Sequence, residues 1–478
     1  MPEPRLIEIS PVTRVEGHGK VTIHLDADGN VDEARLHIVE FRGFERFIRG
    51  RLMWEVPVIV QRLCGICPVS HHLAAAKAMD QIVGVDTLPP TAEKMRRLMH
   101  YGQVMQSHVL HFFHLSAPDL LFGFGSDHIK RNIFEVIRQN PELGLRAVLM
   151  RKFGQEIIEA TAGKKIHGTG AIPGGINRNL DIATRDRLLG QVDQMLDWSQ
   201  NALTIARTYV ETHADMVAGF GTFPSNHMSL VTADGGLDLY HGQMRAVDPQ
   251  GTPIFDQLNY NDYHKVLVED VRSWSYMKFP FIKTLGPEVG WYRVGPLARM
   301  NVASHIDTPL ANAAHTALRE FSGGLNHSTL GNHWARMIEV VHCVEKIRGL
   351  LHDPDLQGTD LRATGERRSE GIGVIEAPRG NLIHHYKVDD NDQVTYCNLI
   401  VSTTHNNEGM NRAVKAVAIK HLSGQPKITE GMLNHVEVAI RAYDPCLSCA
   451  THALGQMPLQ VEIHDAQGRV IDRAAQCL

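Results

Sequence analysis

Arg62-Leu63-Cys64-Gly65-Ile66-Cys67, near one end of the chain, and Asp444-Pro445-Cys446-Leu447-Ser448-Cys449-Ala450-Thr451-His452, near the other, decide how this sequence is read. Each holds a Cys-x-x-Cys pair, a spacing that lets two sulfurs face one point from a turn or a helix start. Two such pairs give four soft thiolates, a donor set that selects soft or borderline metals. Structural zinc uses the same set, but zinc ribbons separate their pairs by about 15–20 residues. Here roughly 380 residues intervene, too many for a local clip that nucleates a fold. On the cysteines alone, a catalytic or redox metal, a zinc site and two unrelated metal-free pairs all stay open.

Composition narrows the classes. The chain has 478 residues, 43% hydrophobic and 21% charged, ordinary values for a soluble globular protein. That length buries a large core, as two to four domains or one elaborated one. A net charge of -5 and the lack of a basic block argue against nucleic acid as a partner. No apolar run reaches about 18 residues, so no membrane span is expected. Met1-Pro2-Glu3-Pro4-Arg5 lacks the pattern of a signal peptide. Seven cysteines are too few for a disulfide scaffold, and their short pairs read as metal ligands in a reducing compartment. Cys343, Cys397 and Cys477 stand alone, and the first two read as packing thiols.

The hydropathy pattern predicts a β-hairpin with strands over 21–25 and 34–39 around Asp26-Ala27-Asp28-Gly29-Asn30. A short helix is expected over 44–52. Longer ones are expected over 71–83, 92–115, 132–153, 185–216, 309–321 and 329–351. Two strand-like runs lie in 237–254, and a second hairpin in 382–386 and 393–401. The fold class is therefore α+β, predominantly helical, with a central bundle of long helices and small peripheral hairpins and sheets. Gly168 to Gly175 lacks a phosphate-binding fingerprint and reads as a tightly packed loop. His108, His111 and His114 recur every third residue, and we read them as packed or hydrogen-bonded core histidines.

Three further stretches flank the cysteine motifs. They are Pro11-Val12-Thr13-Arg14-Val15-Glu16-Gly17-His18, Phe41-Arg42-Gly43-Phe44-Glu45 and Glu376-Ala377-Pro378-Arg379-Gly380, the last placed just before the second hairpin. Together with the two cysteine motifs they resemble, over almost the whole chain, the large subunit of nickel-iron hydrogenases. The flanks Cys-Gly-Ile-Cys-Pro-Val-Ser-His and Asp-Pro-Cys-Leu-Ser-Cys-Ala-Thr-His are most similar to the cytoplasmic bidirectional, NAD-reducing branch.

The resemblance implies a set of roles. Cys64 and Cys446 would be terminal ligands of nickel, and Cys67 and Cys449 would bridge nickel to an iron carrying carbonyl and cyanide. A cysteine sulfur, Cys446, would take the proton from split hydrogen, because the guanidinium of Arg379 above the site holds its own proton strongly. Glu16 would pass that proton outward. Asp119 and Asp444 would hold Arg379 by charge-assisted hydrogen bonds. Read without the family, Asp119 starts a turn after Pro118 and Asp444 caps a helix beginning at Pro445. His71, one turn after Cys67, would tune a bridging sulfur. Thr403 would hydrogen-bond a cyanide. Glu45, the Leu399 carbonyl and His452 would hold magnesium or iron.

The implied organisation is one intertwined domain over 1–452. It has a β part over 1–43, a mainly helical part over 44–380 with a β insertion near 237–256, and a hairpin with the metal-binding segment over 381–452. In this family a protease removes the residues after the last histidine once nickel is in place, so 453–478 reads as a propeptide. Too few cysteines remain for clusters, and no dinucleotide fingerprint appears. Expected partners are therefore a small subunit with an iron-sulfur cluster, a diaphorase module with flavin and NAD, a maturation protease and nickel-insertion proteins. The alternatives are a branch using NADP or a deazaflavin, and a zinc-stabilised scaffold. The quinone-site subunit of respiratory complex I shares the fold but lacks the four cysteines.

Overall fold

The N-terminal strands Arg5–Ile9, Gly19–Leu25 and Val31–Ile38 form one antiparallel sheet in chain order. Alternation on Val21, Ile23 and Leu25 buries one face, and the turn over 26–30 closes as expected. The computed structural model describes residues 5–451, 460–464 and 469–475. The sheet packs on the helix Asn407–Leu422, where the Asn411 side chain accepts from the Leu36 amide at 2.8 Å.

The first cysteine pair is placed by a helix. Cys67 is the N-cap of Pro68–Ile82, and Pro68 fills the first turn, where its missing N–H costs nothing. Nearly every residue of that helix is buried, because it lies between the bundle and a three-stranded sheet of Glu370–Ala377, Gly380–Val388 and Val394–Ile400. Glycines set the close approach. A Cβ at Gly373 would stand 2.0 Å from the Ala74 carbonyl oxygen, and one at Gly371 2.0 Å from that of Ala78.

The long helices Pro90–Val109, Pro141–Ala162, Ile182–Thr212 and Gly331–Leu351 pack on one another as the central bundle, near the expected positions. Two readings are corrected and a third is extended. The helix expected over 132–153 is two, Ile133–Gln139 and Pro141–Ala162, because Pro141 lacks an N–H and bars Asn140 from helical backbone. The helix expected over 92–115 ends at Val109 and continues as a widened π-helical turn, Leu110–Ser116. The stretch 376–380 precedes the second hairpin as expected, since Gly380–Val388 pairs with Val394–Ile400. It is also the tip of a further hairpin, since Glu370–Ala377 pairs with Gly380–Val388 and leaves Pro378-Arg379 as the turn.

Of the region 237–254, Gln243–Val247 is strand and Pro253 begins another running to Leu258. Gly168 to Gly175 is tightly packed: a Cβ at Gly170 would lie 2.4 Å from the Thr161 carbonyl oxygen. Cys343 and Cys397 are buried thiols, and Cys477 lies outside the described residues. Beyond Thr451 the described residues form an antiparallel hairpin, Gln460–His464 with Val470–Ala475. Among the described residues no helix is long and apolar enough to cross a membrane.

Candidate metal centre

The helix Glu430–Ala442 ends at Tyr443, and Asp444 takes a left-handed backbone (φ 53°) that turns the chain into the second cysteine motif. No helix begins at Pro445, so Asp444 is not a cap. The motif instead runs beside the N-terminal loop: Glu16 and Cys446 form a parallel bridge, and the Leu447 amide donates to the Glu16 carbonyl at 2.9 Å. Gly17 makes this possible. Its φ is +85°, and a Cβ there would stand 2.6 Å from the Ser448 nitrogen.

The two distant pairs meet. All four sulfurs, Cys64, Cys67, Cys446 and Cys449, lie within 4.8 Å of one another and are buried. Among the described residues no other cluster of three or more such side chains meets metal-ligand spacing. Cys64 Sγ is 3.2 Å from Cys446 Sγ, and Cys67 Sγ is 3.6 Å from Cys449 Sγ. Hydrogen bonds from Cys446, Cys449 and Cys67 hold the Cys64 thiol well below its ordinary range, while burial pushes Cys446 and Cys449 well up. Four thiols this close cannot all ionise without a cation among them. Such a buried, soft, convergent set fits a thiolate-bound metal centre.

The surroundings complete the fit. The Arg379 turn lines the same cavity as Cys67, Cys446, Cys449, His71, Leu382, Val401 and Thr403. Arg379 donates through Nη2 to Asp444 Oδ1 at 2.9 Å, through Nε to the Asp444 carbonyl, and through Nη1 to Ser107 Oγ at 3.3 Å. Burial alone would lower its pKa, but Asp444 and the thiolates hold it well above the ordinary value. The turn is braced from below. Arg299 donates to Glu376 Oε2 at 2.8 Å and to the Ala377 and Pro378 carbonyls. Glu339 grips Arg299 and accepts from His108 at 2.7 Å.

Glu16 Oε2 accepts from Cys446 Sγ at 3.0 Å and from the Ser448 amide at 3.1 Å. Burial raises its pKa, as does the Cys64 charge. Thr403 Oγ1 accepts from the Cys446 amide at 2.9 Å, which leaves its own proton free to donate. His71 lines the cavity, and its buried Nε2 finds no partner among the described residues. His111 donates to the Arg441 carbonyl at 2.7 Å and stacks on His333, as a core histidine should.

Asp119 does not hold Arg379. It sits in the first turn of Ala117–Phe122 and accepts from Arg14 at 2.6 Å, from Asn434 at 3.1 Å and from Arg441. Burial would raise its pKa, but Arg441 and Arg14 hold it below the ordinary value. Its geometry ties the N-terminal loop to the helix that leads into the second cysteine motif. At the other implied site, Glu45 Oε1 accepts from the Leu399 amide at 2.8 Å, and burial pushes Glu45 up to about 7. Leu399 thus meets Glu45 through its N–H, and His452 lies outside the described residues. Ser107 and Ser448 touch the site and were missed, since a lone serine within a helix or a motif carries no pattern of its own.

The sequence profile described as nickel-dependent hydrogenase matches residues 42–121 and 235–452, and a HoxL-like profile matches 6–41. This chain belongs to the nickel-dependent hydrogenase family. It is 50% identical to the NAD-reducing hydrogenase HoxS subunit beta of Cupriavidus necator, over 98% of this chain and 99% of that one. It is 42% identical to one of the subunits of the F420-non-reducing hydrogenase of Methanothermobacter marburgensis, over 98% and 99%. The fold superposes on a crystal structure of an NAD+-reducing [NiFe]-hydrogenase in the H2-reduced state with a TM-score of 0.92, at 58% identity, covering 94% and 99%. The chain is a catalytic hydrogenase subunit, an oxidoreductase, and the zinc-scaffold alternative is not favoured.

Replacing Asp119 by Ala leaves Arg14 and Arg441 without their shared anion. The expected loss is about 3–5 kcal/mol in denaturant unfolding. A loss under about 1 kcal/mol would contradict a structural clamp at this position.

Proposed function

We propose that this subunit catalyses reversible heterolytic cleavage of hydrogen for an enzyme that delivers the electrons to NAD. Two relatives support the acceptor: the HoxS subunit beta at 50% identity and the NAD+-reducing hydrogenase structure at 58%. The observation that carries the chemistry is the 3.0 Å contact between Cys446 Sγ and Glu16 Oε2 at the edge of the four-sulfur cluster.

Cys64, Cys67, Cys446 and Cys449 would hold nickel and iron, with carbonyl and cyanide on the iron. That centre would supply the redox chemistry that separates hydrogen into protons and electrons. The chain's own residues handle the proton and the charge. The Cys446 sulfur takes the proton and Glu16 receives it. Ser448 sits beside Glu16 and donates to Glu40 Oε2 at 3.0 Å, and Glu40 lies 3.3 Å from the exposed His18, so a polar path leads outward. Arg379, fixed by Asp444, sets a permanent positive charge over the anionic sulfurs, and the Thr403 hydroxyl offers a donor to a cyanide. His71 offers a ring nitrogen beside Cys67. Glu45, the Leu399 carbonyl and His452 would bind magnesium or iron and pin the end of the mature chain. The Thr451 carbonyl accepts from the Arg42 amide at 3.0 Å, at the head of the helix carrying Glu45, which supports that placement.

Electrons would leave through an iron-sulfur cluster of a small subunit to a diaphorase module with flavin and NAD, in the cytoplasm. One domain over 1–452 would do this work once nickel-insertion proteins and a maturation protease have acted, the protease removing 453–478.

Glu16→Gln keeps shape and removes the proton-accepting carboxylate. In the purified complex, hydrogen-dependent NAD reduction is expected to fall by about 10²–10⁴-fold with nickel and iron content unchanged. An unchanged rate would contradict the assignment of Glu16, and a wild type that reduces only other acceptors would contradict NAD. Intact mass of the active subunit is expected to match a chain ending at His452; a mass matching all 478 residues would refute cleavage.

A further inference from the structure

Behind the metal centre three buried polar side chains stand in line. His71 Nδ1 is 3.1 Å from His384 Nε2, and His384 Nδ1 is 2.7 Å from the Tyr386 hydroxyl. All three are buried, and Tyr386 is fully enclosed. His71 begins one turn after Cys67 on the helix Pro68–Ile82, while His384 and Tyr386 share a face of the strand Gly380–Val388, two residues apart.

Such a chain has two consistent arrangements of its protons, because each contact holds one proton between two atoms. In the first, Tyr386 donates to His384 Nδ1, His384 Nε2–H donates to His71 Nδ1, and His71 carries its proton on Nε2. In the second, every donor reverses. His71 Nδ1–H then donates to His384, and His384 Nδ1–H donates to the Tyr386 oxygen.

The second arrangement leaves two defects. Among the described residues the Tyr386 hydroxyl makes one hydrogen bond, to His384, so its own proton would be buried without an acceptor. His71 lines the sulfur cavity, its Nδ1 is taken by His384, and its Nε2 has no partner among the described residues, so a bare lone pair would be left on the nitrogen turned away from His384, toward the electron-rich sulfurs. The first arrangement leaves neither, because its last proton points at an acceptor. Buried donors without acceptors are the costlier outcome.

We infer that Tyr386 and His384 are positioning residues for the metal centre: they lock His71 as an Nε2–H donor toward the sulfur cluster, through the chain Tyr386 → His384 → His71. The inference rests on the hydrogenase reading and deepens it. A hydrogen bond donated to a thiolate withdraws electron density from it and from the metal it binds. Weaker donation from the sulfurs means less back-donation into the iron carbonyl. Two residues that touch neither metal nor substrate thereby set the electronic state of the site from the sheet behind it.

The test is infrared spectroscopy of the purified holoenzyme complex in the carbonyl and cyanide stretching region, with midpoint potentials measured alongside. Tyr386→Phe removes only the terminal donor. His384→Leu removes the relay, whereas His384→Gln restores an amide able to accept from Tyr386 and donate to His71. Tyr386→Phe and His384→Leu are expected to move the carbonyl band to lower wavenumber and to lower the midpoint potential at unchanged nickel and iron content. His384→Gln is expected to keep the wild-type positions. Should Tyr386→Phe fail to accumulate, the contrast between His384→Leu and His384→Gln decides. Wild-type bands in Tyr386→Phe and His384→Leu would overturn the inference alone. A wild type lacking both sets of bands would overturn the nickel-iron reading beneath it.

Discussion

Two chain ends held together decide everything else in this molecule. The Glu16–Cys446 bridge lays the N-terminal loop against the C-terminal motif, and Gly17 brings the backbones close enough for Glu16 to reach a sulfur. Asp119 reinforces the join by neutralising Arg14 from one segment and Arg441 from the other. Without this join, Cys446 and Cys449 would have no reason to stand beside Cys64 and Cys67, some 380 residues earlier. The helix Pro68–Ile82 supplies the other half. Its positive N-terminal end lies at Cys67, where anionic sulfur is favoured.

The centre is also a problem of buried charge. Four sulfurs, Asp444 and Glu16 crowd one side, and the structure answers with Arg379. A buried arginine is tolerated only when its donors are used, and Asp444 and Ser107 use them. The brace beneath, from His108 through Glu339 and Arg299 to the carbonyls of Ala377 and Pro378, keeps the turn from relaxing. His108 thus supports the Arg379 turn from a distance, consistent with its reading as a hydrogen-bonded core residue.

Much of the architecture was legible in the sequence, for a physical reason. Long helices announce themselves through 3.6-residue periodicity, and the hairpin over 19–38 through alternation and its Asp-Gly turn. What escaped were strands buried on both faces. Asn226–Val231 and Glu370–Ala377 show no alternation because neither face meets water. Missing the second of these hid that Arg379, which stands before one hairpin, is also at the tip of another. At the site, the cysteines, Glu16, Arg379 and Asp444 were legible because motif flanks carried them. Asp119 was misplaced because a carboxylate near arginines has several partners to choose from, and only packing shows that Arg14 and Arg441 lie nearer than Arg379. His384 and Tyr386 left no trace in the pattern, since polar residues in a buried strand look like errors until their partners are seen.

The central claim, that both cysteine pairs serve one bimetallic centre, is tested most directly by nickel X-ray absorption on the purified subunit in its complex. The expected result is a nickel edge with a sulfur-dominated first shell of four thiolates and an iron neighbour beyond it. Nickel bound by nitrogen and oxygen, or zinc in place of nickel with no iron neighbour, would contradict it.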